Sequence, residues 1–272
     1  MDEDVLHGLQ RVELEILLEI DRVCREHGIK YFLDSGTMLG AARHGGFIPW
    51  DDDIDISMLR DDYDRFLEVA QDSLGEKYFV QTRKTDPKAT NSFAKVRKNG
   101  TSCIEYSAKL DGSHTGIWVD IFPFDTVLNT EENKKRKKKQ WRLAHKMLNL
   151  RMTSDSVNWN TSILKKTVRK VVRLPLLAVP KERFYERIDS LRDRDVPESQ
   201  TAYTCFHYYS RLPFFLESDL FPLDFLDFEK YKLPVMRNWE RYLVDIYGDW
   251  KQPPPPDKRK KHEILVVDFG DE

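Results

Sequence analysis

The stretch GFIPWDDDIDISM, residues 46–58, constrains this chain more than any other. Asp51, Asp52, Asp53 and Asp55 fall within five positions, where like charges repel. From Asp53 onward, acid or hydroxyl alternates with Ile54, Ile56 and Met58, which is the period of a strand with one face in a core. Asp53 and Asp55 then project to the same side, about 6.5–7 Å apart along the backbone. Asp51 shares that parity, although Pro49 and Trp50 interrupt the pattern just before it. A solvated acidic loop is the ordinary fate of such a run. A calcium loop needs Gly at its sixth position for the sharp turn, and here that position is Ile56. The alternation instead favours two carboxylates on one strand face holding a divalent cation. Mg²⁺ suits such a site because it takes carboxylates together with phosphate oxygens, and Mn²⁺ is the alternative.

The 272 residues, 40% apolar and 33% charged, can bury a sizeable core and have a globular composition. Cys24, Cys103 and Cys205 form no CxxC pair, so they read as isolated buried thiols in a reducing compartment. The N-terminus, MDEDVLHGLQRVELEILLEIDR, is acidic and amphipathic and does not read as a signal peptide. No run approaches the roughly 18 apolar residues of a membrane span. A cytoplasmic protein is expected.

Along the chain, residues 4–27 carry apolar residues at helical spacing up to a stop at Gly28. KYFL (30–33) reads as a short strand, and DSGTMLGAAR turns through Gly36 and Thr37 into a helix reaching about Arg43. A strand is expected over Asp53–Met58, and Asp61 is placed to cap the helix that follows. KYFVQT, SFAKVRK, SCIEYS and the very apolar GIWVDIF are further strands. Residues 133–179 then hold fourteen Lys or Arg and one acid, Asp155. They read as a basic helical insertion, within residues 128–200 of a single domain spanning 1–272.

Strand, Gly, hydroxyl, helix is the order that exposes backbone N–H groups to a phosphate. Placed ahead of an acid-x-acid strand, it suits metal-assisted phosphoryl transfer, in which positioning is the main catalytic contribution. FLDSGTMLGAARHGGFIPWDDDIDISM closely resembles the signature of the LicD family, which is related to fukutin-related protein. The resemblance continues through FAKVRKNGTSCIE and GIWVDIFPFD, and more loosely through YLVDIYGDW and PPPP to the KKH that ends at His262.

The resemblance implies an α/β (α+β) fold, a nucleotidyltransferase-like mixed sheet flanked by helices. It implies Gly36 and Thr37 at the phosphate, Asp53, Asp55 and Asp120 as catalytic and metal-holding acids, and Asp51 as a further ligand, with Asp52 facing away. It also implies transfer of phosphocholine or an alditol phosphate from a CDP-activated donor to a hydroxyl of a glycan or lipid-linked glycan, with release of CMP. A nucleotidyltransferase releasing pyrophosphate and a non-catalytic metal- or glycan-binding module are the alternatives.

Arg43 and His44, between the helix and the acid strand, are read as substrate contacts, because Arg matches phosphate geometry bidentately. Lys95 and Arg97 share strand parity and are both expected to face the diphosphate. Asp125 reads as a supporting acid or a turn former, and YTCFHYYSRLPFF as core or lobe contact. The mixture of cations and aliphatics in SILKKTVRKVVRLPLLAV suits an anionic membrane surface at the inner face of the cytoplasmic membrane. No recognition motif for nucleic acid accompanies the charge.

Overall fold

The computed structural model describes residues 2–105, 112–152, 163–259 and 264–270. The chain divides into two compact units, Met1–Phe124 with Phe215–Glu272, and Asp125–Phe214.

The first unit opens with helix α1, Glu3–His27. Asp2 caps it by accepting from the Asp4 N–H, acids occupy its first turn, and Arg25 and His27 its last, in the sense the helix dipole favours. Gly28 ends it in the left-handed region (φ 61°). Its stripe of Leu9, Ile16, Leu17 and Ile20 is fully buried. Strand β1 (Phe32–Leu33), helix α2 (Ser35–His44), strand β2 (Asp55–Leu59) and helix α3 (Arg60–Leu74) follow, then strands β3 (Tyr78–Gln81), β4 (Ala94–Lys98), β5 (Ser102–Glu105) and β6 (Trp118–Leu128). The mixed sheet runs in the order β1-β2-β6-β4-β3, with β2 and β6 parallel and the other neighbours antiparallel. Helices α1, α2 and α3 lie against it. The fold class expected from the sequence is the one observed.

Two local expectations are corrected. Strand β2 begins at Asp55, so Asp51 and Asp53 lie on irregular backbone before it. Its antiparallel partner β1 is only two residues long, pairing Phe32 with Ser57 and Leu33 with Ile56, and nothing on that side extends the ladder back to Asp53. Helix α3 starts at Arg60 with Leu59 in the cap position, and Asp61 sits in the first turn without capping.

The unit is completed by helix α7 (Glu217–Leu220), the hairpin of β8 (Asp224–Phe228) and β9 (Tyr231–Val235), helix α8 (Trp239–Tyr247), and strand β10 (Ile264–Asp268), which pairs with β5.

The second unit takes the last four residues of β6, which pair antiparallel with β7 (Thr201–Thr204). Its helices are α4 (Glu131–Met152), α5 (Ile163–Leu177) and α6 (Lys181–Asp189). Trp141, Ala144 and Leu148 of α4 pack with Phe184, Tyr185 and Ile188 of α6 and with Phe206. Lys137 belongs to the same buried face, in line with the four-residue helical spacing to Trp141. All three cysteines are buried and none is in a disulfide. No described helix is long and apolar enough to cross a membrane.

Candidate active site

The site is built where the chain leaves β1. Asp34 follows that strand and is fully buried, accepting from the Ser35 N–H (2.7 Å) and from the hydroxyls of Ser57 and Tyr242. Ser35 takes φ 45°, a left-handed conformation costing a non-glycine residue about 1–2 kcal/mol, and thereby turns the chain sharply into α2. Gly36 is the next residue. A Cβ there would lie 2.7 Å from Asp51 Oδ2, so glycine is what allows that carboxylate to rest against the start of the helix. Thr37 accepts the Asp55 N–H on Oγ1 (2.8 Å), so its hydroxyl pins the start of β2 to α2. What this helix end offers a phosphate is its first-turn amides.

Asp51, Asp52 and Asp53 bring one carboxylate oxygen each within 4.8 Å of one another. The expectation that Asp52 faces away is overturned, since its side chain is only 2% exposed and joins this cluster. Strand alternation would also send Asp52 to the side opposite Asp51 and Asp53, but it does not apply to residues ahead of the strand. Asp55 and Asp120 are register partners on the parallel strands β2 and β6, hence neighbours on one face. The Asp120 N–H donates to the Ile54 carbonyl (2.9 Å).

Lys95, opposite Asp120 on β4, brings Nζ to 2.8 Å from Asp120 Oδ1 and sits 4.3 Å from the centre of the Trp118 ring. That contact is an ion pair whose angles fall outside hydrogen-bond geometry. Burial, and then the charges of Asp53, Asp120, Asp34 and Asp51, hold the Asp55 carboxyl well above the ordinary aspartate range.

Helix α1 supplies two groups that the sequence reading missed. Gln10 donates from Nε2 to the Asp51 carbonyl (2.9 Å). Glu13, three residues on and so on the same helix face, is fully buried with no hydrogen bond to its Oε2. Burial, followed by the charges of Asp53, Asp52, Asp51 and Asp120, raises its carboxyl well above the ordinary glutamate range. The signal was present in the sequence: both residues interrupt the apolar stripe of Leu9, Val12, Ile16 and Leu17.

The expected cations divide. Lys95 pairs with Asp120, and Arg97 is held by other groups. Its guanidinium donates to Gln81 Oε1 and the Gly116 carbonyl, both at 2.6 Å, and lies over Trp118. Arg43 donates to the Trp250 carbonyl (2.9 Å) and to His44 Nε2 (3.0 Å). Burial lowers its pKa and the charge of Asp51 opposes that shift, which puts Arg43 within electrostatic reach of the acid cluster. His44 is exposed, and burial of its ring and then Arg43 lower its pKa, in keeping with a neutral ring whose Nε2 accepts. Tyr247 of α8 is 39% exposed as a whole. Burial at its hydroxyl end, then the charges of Asp55, Asp34, Asp51 and Asp53, keep that hydroxyl un-ionised. Asp125 pairs in register with Thr204 in the second unit. His262 lies outside the described residues.

Hard carboxylate oxygens clustered beside a helix N-terminus fit Mg²⁺ with a phosphate better than a softer metal, since no thiol or imidazole joins the cluster among the described residues.

Residues 28–153 match the family described as LicD/FKTN/FKRP, nucleotidyltransferase domain. The chain is 28% identical over 269 residues to the lipopolysaccharide cholinephosphotransferase LicD of Haemophilus influenzae, covering 97% of this chain and 98% of that protein. A 35-residue stretch is 51% identical to the human ribitol 5-phosphate transferase FKRP, 13% of this chain and 7% of that one. An uncharacterized Rickettsia prowazekii protein is 42% identical over 48 residues, 18% of each chain. The family match runs from the residue that ends α1 to the residue after α4, and the bacterial relative aligns over almost all of both chains. On these grounds residues 28–153 resemble the LicD family's nucleotidyltransferase domain, and the chain is a phosphotransferase.

Proposed function

We propose that the enzyme transfers phosphocholine or an alditol phosphate from a CDP-activated donor to a hydroxyl of a glycan, releasing CMP. The observation that carries this reading is the convergence of Asp51, Asp53, Asp55 and Asp120 beside the amides that begin α2. Those four acids would hold Mg²⁺, which when bound offsets the charge of a diphosphate and polarises its oxygens. The α2 amides bind and orient the diphosphate. Lys95 keeps the Asp120 carboxylate in position, and Arg43 adds positive charge on the Asp51 side.

The acceptor oxygen forms a bond to the phosphorus that bears the choline or alditol. The bond from that phosphorus to the bridging oxygen breaks, CMP leaves with the electron pair, and a carboxylate of the cluster takes the hydroxyl proton. The second unit supports peripheral contact with an anionic membrane at its inner face. Lys135, Arg136, Lys138 and Lys139 are exposed on α4, and Val171, Val172, Leu174 and Leu177 are exposed on α5 beside Lys170 and Arg173.

A thermal-shift panel with CDP-choline, CDP-ribitol, CDP-glycerol, CTP and ATP, each with and without Mg²⁺, tests the reading. Stabilisation that requires both Mg²⁺ and one CDP-linked compound is the expected result. Stabilisation by CTP or ATP alone, with pyrophosphate as product, would replace the reading with nucleotidyl transfer.

A further inference from the structure

The acids are reached from α2 through residues 45–50, a connection without helix or strand, and the β8–β9 hairpin grips its start. Phe228 and Tyr231 close the ladder of that hairpin, so its two turn residues are Glu229 and Lys230. Glu229 takes φ 57°. A two-residue turn with positive φ at its first position ordinarily carries Gly, Asn or Asp there, because a longer side chain is crowded in the left-handed region. Glu229 is thus a poor residue for the turn itself, and such strain persists where the surroundings hold it.

What holds it is the loop that leads to the acids. The Glu229 N–H donates to the Gly45 carbonyl (2.8 Å), and Glu229 Oε1 accepts the Phe47 N–H (3.2 Å). Between those two bonds lies Gly46, where a Cβ would collide with Glu229 Oε1. The buried Phe228 ring packs on Phe47 with centroids 4.9 Å apart. From the α2 side, the Gly40 carbonyl accepts the Gly46 N–H (3.5 Å), and a Cβ on Gly40 would collide with the Gly46 carbonyl. The carbonyl of the buried Ile48 then accepts the Asp51 N–H (2.9 Å), and the acids begin. The loop is therefore fixed at its start by Glu229 and at its end by Gln10 and by the contact of Asp51 with Gly36.

We infer that Glu229 is a positioning residue for the metal site: by fixing Gly45 and Phe47 it sets where Asp51, Asp52 and Asp53 present their carboxylates. This rests on the reading that the acid cluster holds Mg²⁺. Carboxylates that repel one another on irregular backbone spread apart unless the backbone is held, and a held loop has them gathered before the cation arrives. Glu229 acts through the loop backbone, and its carboxylate takes no part in the chemistry. Its bond to the Phe47 N–H lies at the surface, where water replaces it at little cost to folding, so its effects on stability and on metal binding are separable.

The test is Mn²⁺ binding to the full chain in the presence of CDP, read by calorimetry, together with the melting temperature in EDTA. Glu229→Gly removes the side chain and relieves the turn. It should melt no lower than the unmodified protein in EDTA, yet bind Mn²⁺ about 10-fold more weakly. Glu229→Gln keeps an acceptor oxygen for the Phe47 N–H and should bind Mn²⁺ as the unmodified protein does. Gly46→Ala drives the Glu229 side chain off the loop and gives the reading if Glu229→Gly misfolds, with the same loss of affinity expected. Equal Mn²⁺ affinity in the unmodified protein and Glu229→Gly overturns the positioning role and leaves the metal site standing. A loss in Glu229→Gln as large as that in Glu229→Gly also overturns it, because the charge and not the bond to the loop would then be at work. No Mn²⁺ bound by the unmodified protein overturns both.

Discussion

The acid cluster and the basic helix α4 both crowd like charges into a short stretch, and the fold treats them in opposite ways. In α4 the helical period spreads the cations, leaving Lys135, Arg136, Lys138 and Lys139 in solvent. It turns one inward, Lys137, which meets Asp193 Oδ1 at 2.6 Å and the Leu191 carbonyl. In the acid cluster Asp52, Asp55, Asp120 and Glu13 are all drawn in, and Lys95 pairs with Asp120. Charge that water or an internal partner satisfies is compatible with structure alone. Carboxyls buried against their own kind are relieved by keeping a proton, the direction in which Asp55 and Glu13 are shifted, or by a bound cation.

The comparison can be broken most directly at Asp55. Asp55→Asn should lower CMP release on the order of a thousandfold, while the metal-free protein melts at or above the unmodified one because a repelled carboxyl is gone. If Asp55→Asn instead lowered the metal-free melting temperature, the acids would be mutually supported and not strained. Next in size is Lys137→Ala, expected to cost about 1.5–3 kcal/mol through loss of a charge-assisted contact to Asp193, whose Oδ2 keeps its hydrogen bonds from Leu128 and Asn133, against within about 0.5 kcal/mol for the exposed Lys138→Ala. Urea unfolding that gave equal midpoints for the two would remove the distinction between inward and outward cations.

Replacing Lys135, Lys138 and Lys139 together by Gln should weaken sedimentation with phosphatidylserine vesicles on the order of 100-fold, at about 1 kcal/mol per lysine, with nucleotide binding unchanged. Absence of vesicle binding by the unmodified protein would defeat the membrane reading outright.

The smallest effect sharpens the contrast within the first unit. Burial alone would raise the Glu15 carboxyl, but hydrogen bonds from Lys77, Lys98 and Tyr78 prevail and hold it at about 2, below the ordinary 4.5. A depressed carboxyl stabilises the fold above the unfolded value and loses that contribution as pH falls toward the folded one. The stability advantage over Glu15→Gln should therefore be full near neutrality and vanish between about pH 4.5 and 2. Glu15 and Glu13 stand two residues apart on one helix, one satisfied and one not, so opposite pH behaviour of their Gln variants would show that surroundings, and not helix α1, set the difference.

Much of the local structure around the acids was legible in the sequence. Acid-apolar alternation located β2, and the glycine ahead of it had a physical reason, the closeness of Asp51, that sequence alone could not supply. Strand parity says which face Arg97 takes but not what it meets there. Gln81 and the Gly116 carbonyl engage it first. Asp52 turns inward because the ladder ends before it and no strand parity fixes its side chain.

What the sequence determined by itself is local and periodic: the helix with its caps, the acid strand, the apolar β6, and the pattern that resembles a LicD enzyme. Only the tertiary structure decided which distant residues close around the acids. Gln10 reaches Asp51 across 41 positions, Tyr242 reaches Asp34 across 208, and Glu13 joins them from a helix that precedes the family's span. The reason is physical. Periodicity arises from backbone geometry within a few residues, whereas the fate of a buried charge depends on which groups the folded chain sets beside it, and no local pattern encodes that.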